Sequence, residues 1–389
     1  MKKNNKMKII ALSLMAVLSI GSFSACSTQD ENNSNGASPD ISVSDSDSNT
    51  NDTEESKEDN KSTENNSQTD NKNSSTQNDD DKENGEIPVL SDPTPDEMGE
   101  TINGILVYNR VAYELFGGGE SLAQDYAKAI SDIKNHFGDG IKVYNVVVPT
   151  HCGVTLPEKF SDRVSSQEDY LNTICSSYSA DVIGVNAYDT IMHHRDEYLY
   201  FNTDHHWTGL AAYYAYRDFC KAAGVEAISL DDMERNKIEG YYGSLANDIE
   251  DSSLLDEDYV EYFTVNYDID TTLYDSNAED PQDYMLIHSY AEGVNSYGVF
   301  LGGDQPLMVT KNKNGNGKKI AVIKESYGNA FAPFIAYTYS EAHIMDFRDI
   351  DFDLKQYLID NEIDEVIFVN NAMASATPER VEELEALAQ

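Results

Sequence analysis

The sequence predicts an α/β domain, built as a mostly parallel sheet covered by helices on both faces. Three observations predict it. Short β-branched, apolar runs alternate with stretches of helical period over residues 121–223 and again over 319–387. A β-α-β-α-β order needs crossover connections, which lay helices against the sheet. Polar residues follow several of the runs, at what would be the carboxyl ends of strands, where ligands bind in sheets of this kind.

In chain order, residues 121–136 place Leu122, Tyr126, Ala129, Ile130 and Ile133 on one helical face, and Gly138 and Gly140 end it. Residues 141–148 are a strand opening into Pro149-Thr150-His151. A helix over 167–178, a strand over 181–185 and a short turn or helix over 188–193 follow. Residues 208–223 are helical, with Ala212, Tyr216, Phe219 and Ala223 aligned and Gly224 as terminator. Residues 231–306, rich in Tyr and Asp, read as an irregular insertion of short strands and loops. Regular alternation resumes with a strand at 319–323, a helix at 330–339, a strand at 342–347, a helix at 354–361, a strand at 364–370 and a last helix at 378–387. His151, Ser326 and Asn370 or Asn371 then fall at or near strand carboxyl ends.

Ahead of this domain, Lys2, Lys3, Lys6 and Lys8 form a basic start, and residues 9–20 are apolar but too short to span a bilayer comfortably. Ser24 and Ala25 precede Cys26, an arrangement that resembles a bacterial lipobox with Phe23 in place of the usual aliphatic residue. The expectation is a lipoprotein signal peptide over 1–25 with Cys26 lipidated; a plain cleaved signal peptide is the alternative. Either places the mature chain outside the cytoplasm. Residues 26–98 are almost wholly polar and acidic and cannot bury enough surface to offset ordering entropy, so a disordered tether is expected. The domain proper is assigned to 99–389.

The formal net charge of -43 and pI near 4.2 leave few cationic groups to neutralise phosphates, which argues against nucleic acid. Cys152, Cys175 and Cys220 form no CxxC pair, so a structural zinc site is not expected. Buried free thiols are the first reading of all three, with one disulfide open.

The run Thr203-Asp204-His205-His206-Trp207 sets an acid, two imidazoles and the single Trp side by side. A carboxylate orients a His, and that His takes a proton from Ser, which Ser326 in Lys324-Glu325-Ser326-Tyr327-Gly328-Asn329 would supply. Ordinary readings stand beside this one. Ser326 suits a helix N-cap, Asp204 a loop anchor and Trp207 a core residue. His193, His194, His205, His206 and Asp204 together form a zinc-type donor set, although the spacing matches no zinc signature.

The run Tyr200 to Gly209, continuing into Ala211-Ala212-Tyr213-Tyr214, closely resembles the signature of the bacterial DHHW protein family. Gly302-Gly303-Asp304-Gln305-Pro306-Leu307 resembles its Gly-Asp-His-Pro-Leu block, with Gln305 for His. Val322 to Phe331 resembles its Lys-Asp-Ser-Tyr block, with Glu325 for Asp, and Met345-Asp346-Phe347-Arg348 its Asp-Leu-Arg segment. Asn202 stands where Arg is common. That family is similar to SGNH-hydrolase-like proteins that O-acetylate alginate. The resemblance implies an SGNH-hydrolase-like three-layer fold and a triad of Ser326 as nucleophile, His206 as base and Asp204 as acid. It also implies oxyanion or supporting roles for Tyr327, Gly303, Asn329, His205 and Asp304, with Trp207 and Arg348 lining the substrate. No cofactor and no metal are implied. The activity expected is O-acetyl transfer or acetyl-ester hydrolysis on cell-surface or wall polysaccharide. The protein would be lipid-anchored on the outer face of the bacterial membrane, with partners in an export or modification pathway. A non-catalytic glycan-binding lipoprotein is the alternative.

Overall fold

The computed structural model describes Lys82 and residues 85–389. The expected signal peptide, Cys26 and residues 26–81, 83 and 84 of the expected tether lie outside the described residues. Residues 85–99 carry no helix or strand. They run along the domain, where Lys159 Nζ reaches Asp92 at 3.1 Å and the Thr94 carbonyl at 2.9 Å.

The chain opens with a small antiparallel sheet of β1 (Glu100–Ile102), β2 (Ile105–Tyr108) and β3 (Val111–Tyr113). The parallel core begins with β4 (Lys142–Val148) and β5 (Val182–Asn186). A two-stranded ribbon of β6 (Glu234–Tyr241) and β7 (Asp258–Thr264) follows. Then come β8 (Ile269–Tyr274), β9 (Gln282–Asp283), β10 (Leu307–Asn312), β11 (Lys319–Lys324), β12 (Glu341–Asp346) and β13 (Glu365–Asn371). The main sheet has eight strands in the order β5-β4-β13-β11-β12-β10-β8-β9. The first five are mutually parallel, and β10, β8 and β9 extend the sheet by antiparallel pairing. Thus β8 and β9, inside the stretch read as an insertion, are sheet strands, and β10 is a strand with no counterpart in the sequence reading.

Strand alternation splits the core into two layers. Tyr144, Val146, Ile320, Val322, Ile367 and Val369 face the helices Gly209–Ala223 and Gly328–Thr338. Val143, Val147, Ala321, Ile323, Val366 and Phe368 face Glu120–Phe137, Gln167–Ser176, Leu354–Asp360 and Pro378–Ala386. Near-continuous apolar runs in β4, β11 and β13 are what a sheet buried on both faces requires.

Local signals set the helix ends as expected. Thr208 Oγ1 accepts from Ala211 N–H at the start of Gly209–Ala223, and Gly224 closes it in the left-handed region with φ 65°. A third apolar cluster joins Ile105, Val107 and Ala112 to Leu245, Ala246 and Ile249, pinning the short helix Ser244–Ile249 against the small sheet. Cys152, Cys175 and Cys220 are all free thiols, and burial pushes Cys220 up to about 12, so they act as small apolar residues. Among the described residues no helix is long and apolar enough to cross a membrane.

Candidate active site

Ser326 follows the carboxyl end of β11, inside a tight turn into the helix Gly328–Thr338. The turn is closed by Gly328 N–H to the Glu325 carbonyl (2.9 Å) and Asn329 N–H to the Ser326 carbonyl (3.1 Å). The Ser326 hydroxyl caps nothing; its oxygen lies 2.8 Å from His206 Nε2. The N-cap reading is thereby set aside.

Asp204 and His206 come from a loop bracketed by an antiparallel bridge between Tyr200 and Trp207. His206 Nδ1 lies 2.6 Å from Asp204 Oδ1, which also accepts the His206 N–H at 2.9 Å. Asp204 Oδ2 accepts the Ser244 N–H at 2.7 Å. Burial alone would raise the Asp204 carboxyl. The charge and hydrogen bond of His206 outweigh it and hold the group far below the usual carboxylate range. The carboxylate is therefore ionised, holds the imidazole in one orientation and would favour an imidazolium if Ser326 gave its proton to that ring.

Two residues outside the sequence reading fix this loop. Asp258, at the start of β7, accepts the N–H groups of Asn202 and Thr203, each at 2.8 Å. Tyr297 lays its ring on His206, with centroids 3.9 Å apart and planes 15° apart, and donates to the Ser326 carbonyl at 3.1 Å. No sequence signal singled them out, because both lie in the irregular stretch 231–306, where periodicity is weak.

Close packing behind the acid is tested at Gly243. A Cβ built there would overlap both Cβ and the carboxylate of Asp204. Gly243→Ala is expected to displace that carboxylate and lower kcat on the order of 10²-fold while the fold persists. Turnover and thermal unfolding measured on the same sample check this, and an unchanged kcat would show that Asp204 has room to yield.

The expected oxyanion donors divide. Tyr327 N–H donates to Glu325 Oε2 at 3.0 Å, because the tight turn folds it back onto that side chain. Gly303 N–H closes a turn on the Phe300 carbonyl at 3.0 Å. Neither is left for an oxyanion. Asn329 Nδ2 donates to Asp304 Oδ1 at 2.8 Å, which orients the amide and leaves its second hydrogen available. The Ser326 N–H, close to the start of a helix, is the backbone donor that remains among these. Trp207, read from sequence either as a core residue or as lining the substrate, is 0% exposed and donates to the Tyr327 carbonyl at 2.9 Å. It anchors the triad loop in the core. Tyr327 acts likewise, donating its hydroxyl to the His205 carbonyl.

Arg348, the other expected lining residue, is tied into an ion cluster. Its Nε donates to Asp346 Oδ1 at 2.7 Å and Nη2 to Asp304 Oδ2 at 2.7 Å. Lys324 Nζ lies 3.2 Å from Asp346 Oδ2 and 3.4 Å from Asp304 Oδ1. Burial opposes the Asp304 charge, but Lys324 and Arg348 prevail and set its pKa at about 2. An unfolded Asp titrates near about 3.9. The depressed value makes this contribution to stability complete above that point and lost as pH falls from about 4 to about 2. Asp304→Asn should therefore lie below the wild type in stability at pH 6 and draw level with it near pH 2, measured by denaturant unfolding. A gap independent of pH would contradict the assignment. Glu325 is opposite in sense: burial raises its carboxyl, against hydrogen bonds from Tyr327 N–H and the Asn371 N–H and side chain.

The zinc-type donor set splits. Asp204, His205 and His206 lie close together, but His193 Nδ1 meets the Asp189 carbonyl at 2.7 Å and buried His194 meets Glu197 at 2.9 Å. His206 has both ring nitrogens committed and Asp204 both oxygens, so a cation there would have to displace the Ser326 contact. His151 stacks on Tyr200, and burial pulls its pKa down to about 3, so it is a neutral packing residue. Asn370 and Asn371 end β13, bonded to Tyr126 and Glu325.

A three-layer α/β sheet, with a Ser after one strand facing an Asp-X-His pair from another loop, is the SGNH-hydrolase-like class of fold. The chain belongs to the DHHW protein family, whose model matches residues 32–345. It is similar to a DHHW family protein from Eubacterium siraeum, with 29% identity and a TM-score of 0.69 over 75% of this chain and 97% of that one. Bacillus cereus PatB1, solved with a sulfonyl adduct, shares 20% identity with a TM-score of 0.58 over 72% and 96% of the two chains. That likeness bears on fold alone. The O-acetyltransferase domain of Pseudomonas putida AlgJ aligns at 15% identity and a TM-score of 0.44, over 73% of this chain and 99% of that domain. No curated protein matches the chain.

Proposed function

We propose that this protein is a surface-anchored acyl-transfer enzyme, an O-acetyltransferase or acetylesterase acting on cell-surface or wall polysaccharide. The observation that carries the reading is the continuous contact from Asp204 through His206 to Ser326, at 2.6 and 2.8 Å. Ser326 Oγ attacks the acyl carbonyl while His206 Nε2 takes its proton. Ser326 N–H and Asn329 Nδ2 hold the developing oxyanion. The leaving group departs with the proton from His206, and an acyl-Ser326 ester remains. A hydroxyl from sugar or water then attacks that ester, giving its proton to His206, and Ser326 recovers it as the ester breaks. Each step uses groups of this chain and calls for no cofactor.

Acetyl, as the acyl group, comes from the family resemblance. Anchoring comes from the sequence: residues 1–25 as a lipoprotein signal, Cys26 as the lipidation site and 26–98 as a tether that gives the domain reach. The protein then acts on the outer face of the cell membrane, with partners in export or modification of the glycan.

The test is intact-mass analysis of the purified chain exposed to p-nitrophenyl acetate and, separately, to a sulfonyl fluoride, with peptide mapping of any adduct. An acetyl or sulfonyl group on Ser326 supports the reading. No adduct and no turnover would favour a glycan-binding protein without chemistry.

A further inference from the structure

We propose that His205 binds the acceptor, and that the paired imidazoles of His205 and His206 select an acceptor carrying two adjacent hydroxyls, as in the vicinal diol of a sugar ring. The inference rests on the acyl-transfer reading above and extends it to the second half of the reaction.

His206 is the base and is largely buried; its side chain is 9% exposed, whereas that of His205 is 35% exposed. The two rings are in tilted contact, with centroids 3.9 Å and planes 36° apart. His205 is nonetheless fixed from three directions. Its Nδ1 lies 2.7 Å from Ser244 Oγ, its carbonyl accepts from Tyr327 OH, and its ring rests against His206. Ser244 fixes two members at once, since its N–H also holds Asp204 Oδ2. Ordering a ring whose side chain stays 35% exposed costs conformational entropy that its partial burial offsets only in part. Such a ring, held beside the catalytic base, is what recognition of a polar group requires.

The ring's state suits that use. Burial and the neighbouring His206 lower the His205 pKa, so the imidazole is neutral at neutral pH. With Nδ1 committed to Ser244, Nε2 has no hydrogen-bond partner among the described residues and can bond a hydroxyl as donor or acceptor. One acceptor hydroxyl then sits on His206 Nε2 and attacks the acyl-Ser326 carbonyl carbon. Its proton passes to His206, the carbonyl–Oγ bond breaks and Oγ takes the proton back. The adjacent hydroxyl rests on His205 Nε2, forms no covalent bond and sets the angle of attack. Water offers no second hydroxyl at a fixed spacing, so the pair favours transfer over hydrolysis.

The experiment uses the full chain with p-nitrophenyl acetate as donor. Two methyl glycosides serve as acceptors, one with a vicinal diol and one with a single hydroxyl of that pair removed. Acetylated glycoside and free acetate are both quantified. The wild type is expected to transfer to the diol about three- to tenfold in preference to the deoxy compound. His205→Asn keeps an amide at the Nδ1 position for Ser244 but lacks Nε2, and should bring the preference close to one. His205→Gln, whose amide reaches the Nε2 position, should restore part of it. A wild type indifferent to the deoxy change overturns the proposal, and so does a His205→Asn variant with undiminished preference. Intact mass taken before acceptor is added separates these results from failure of the parent reading, in which Ser326 never becomes acetylated and both proposals fall.

Discussion

Ser326→Ala is expected to abolish acyl-enzyme formation and to lower turnover of acetyl esters by roughly 10⁴–10⁶-fold. The loss is large because the Ser326 Oγ, 2.8 Å from His206 Nε2, is the hydroxyl that the base would deprotonate. The fold should be unaffected. Ser326 caps no helix, and the turn around it is closed by the Glu325 and Ser326 carbonyls, which the substitution leaves in place. Stability should change by no more than about 1 kcal/mol, the net worth of one hydrogen bond. Asp204→Asn should cost on the order of 10⁴-fold, because the amide cannot support the imidazolium. The double variant should be little worse than Ser326→Ala, since the three side chains act as one unit. Intact mass, ester turnover and thermal unfolding on the three variants are the measurements. A Ser326→Ala protein that still accumulates an acetyl adduct would move the nucleophile elsewhere and end the proposed mechanism.

Asp346→Asn should give the largest loss of stability, about 3–5 kcal/mol by urea unfolding. Lys324 and Asp346 are paired in register on the adjacent parallel strands β11 and β12, and both side chains are 0% exposed. Removing the carboxylate leaves the Lys324 ammonium buried with only Asp304, at 3.4 Å, while Arg348 loses its main partner. Deleting one side of a buried pair costs far more than replacing both sides by apolar groups. Lys324→Met combined with Asp346→Leu should therefore recover much of the loss. Activity should fall with Asp346→Asn as well, because Asp304 would be drawn toward the uncompensated cations and away from Asn329. A stability change below about 1 kcal/mol would mean that the pair is hydrated and screened as surface pairs are.

The fold was legible where local chemistry repeats. β4, β11 and β13 announced themselves as β-branched runs, and Gly209–Ala223 as a spaced apolar face between Thr208 and Gly224. β10 was missed because a short run such as Leu307–Asn312 gains its strand character from partners far away, Met345 on one side and Tyr274 on the other. The three side chains that meet at the candidate site were legible because Asp204 and His206 are neighbours in the chain and Ser326 follows a recognisable strand. For Trp207 the sequence left two readings, a core residue and one lining the substrate, and the ring turns into the core.

The sequence by itself determined the layered α/β plan, the acidity and the adjacency of Asp204 and His206, because each depends on composition or on spacing over a few residues. Only the tertiary structure decided that Asp204 and Ser326, more than a hundred residues apart, meet through His206. It alone brought Ser244, Asp258 and Tyr297 out of an irregular stretch to lock those groups. It alone turned the Tyr327 and Gly303 N–H groups away from the oxyanion and set Lys324 against Asp346. Such contacts depend on strand register and on how a loop packs, and these follow from the sum of many long-range burials rather than from any local pattern.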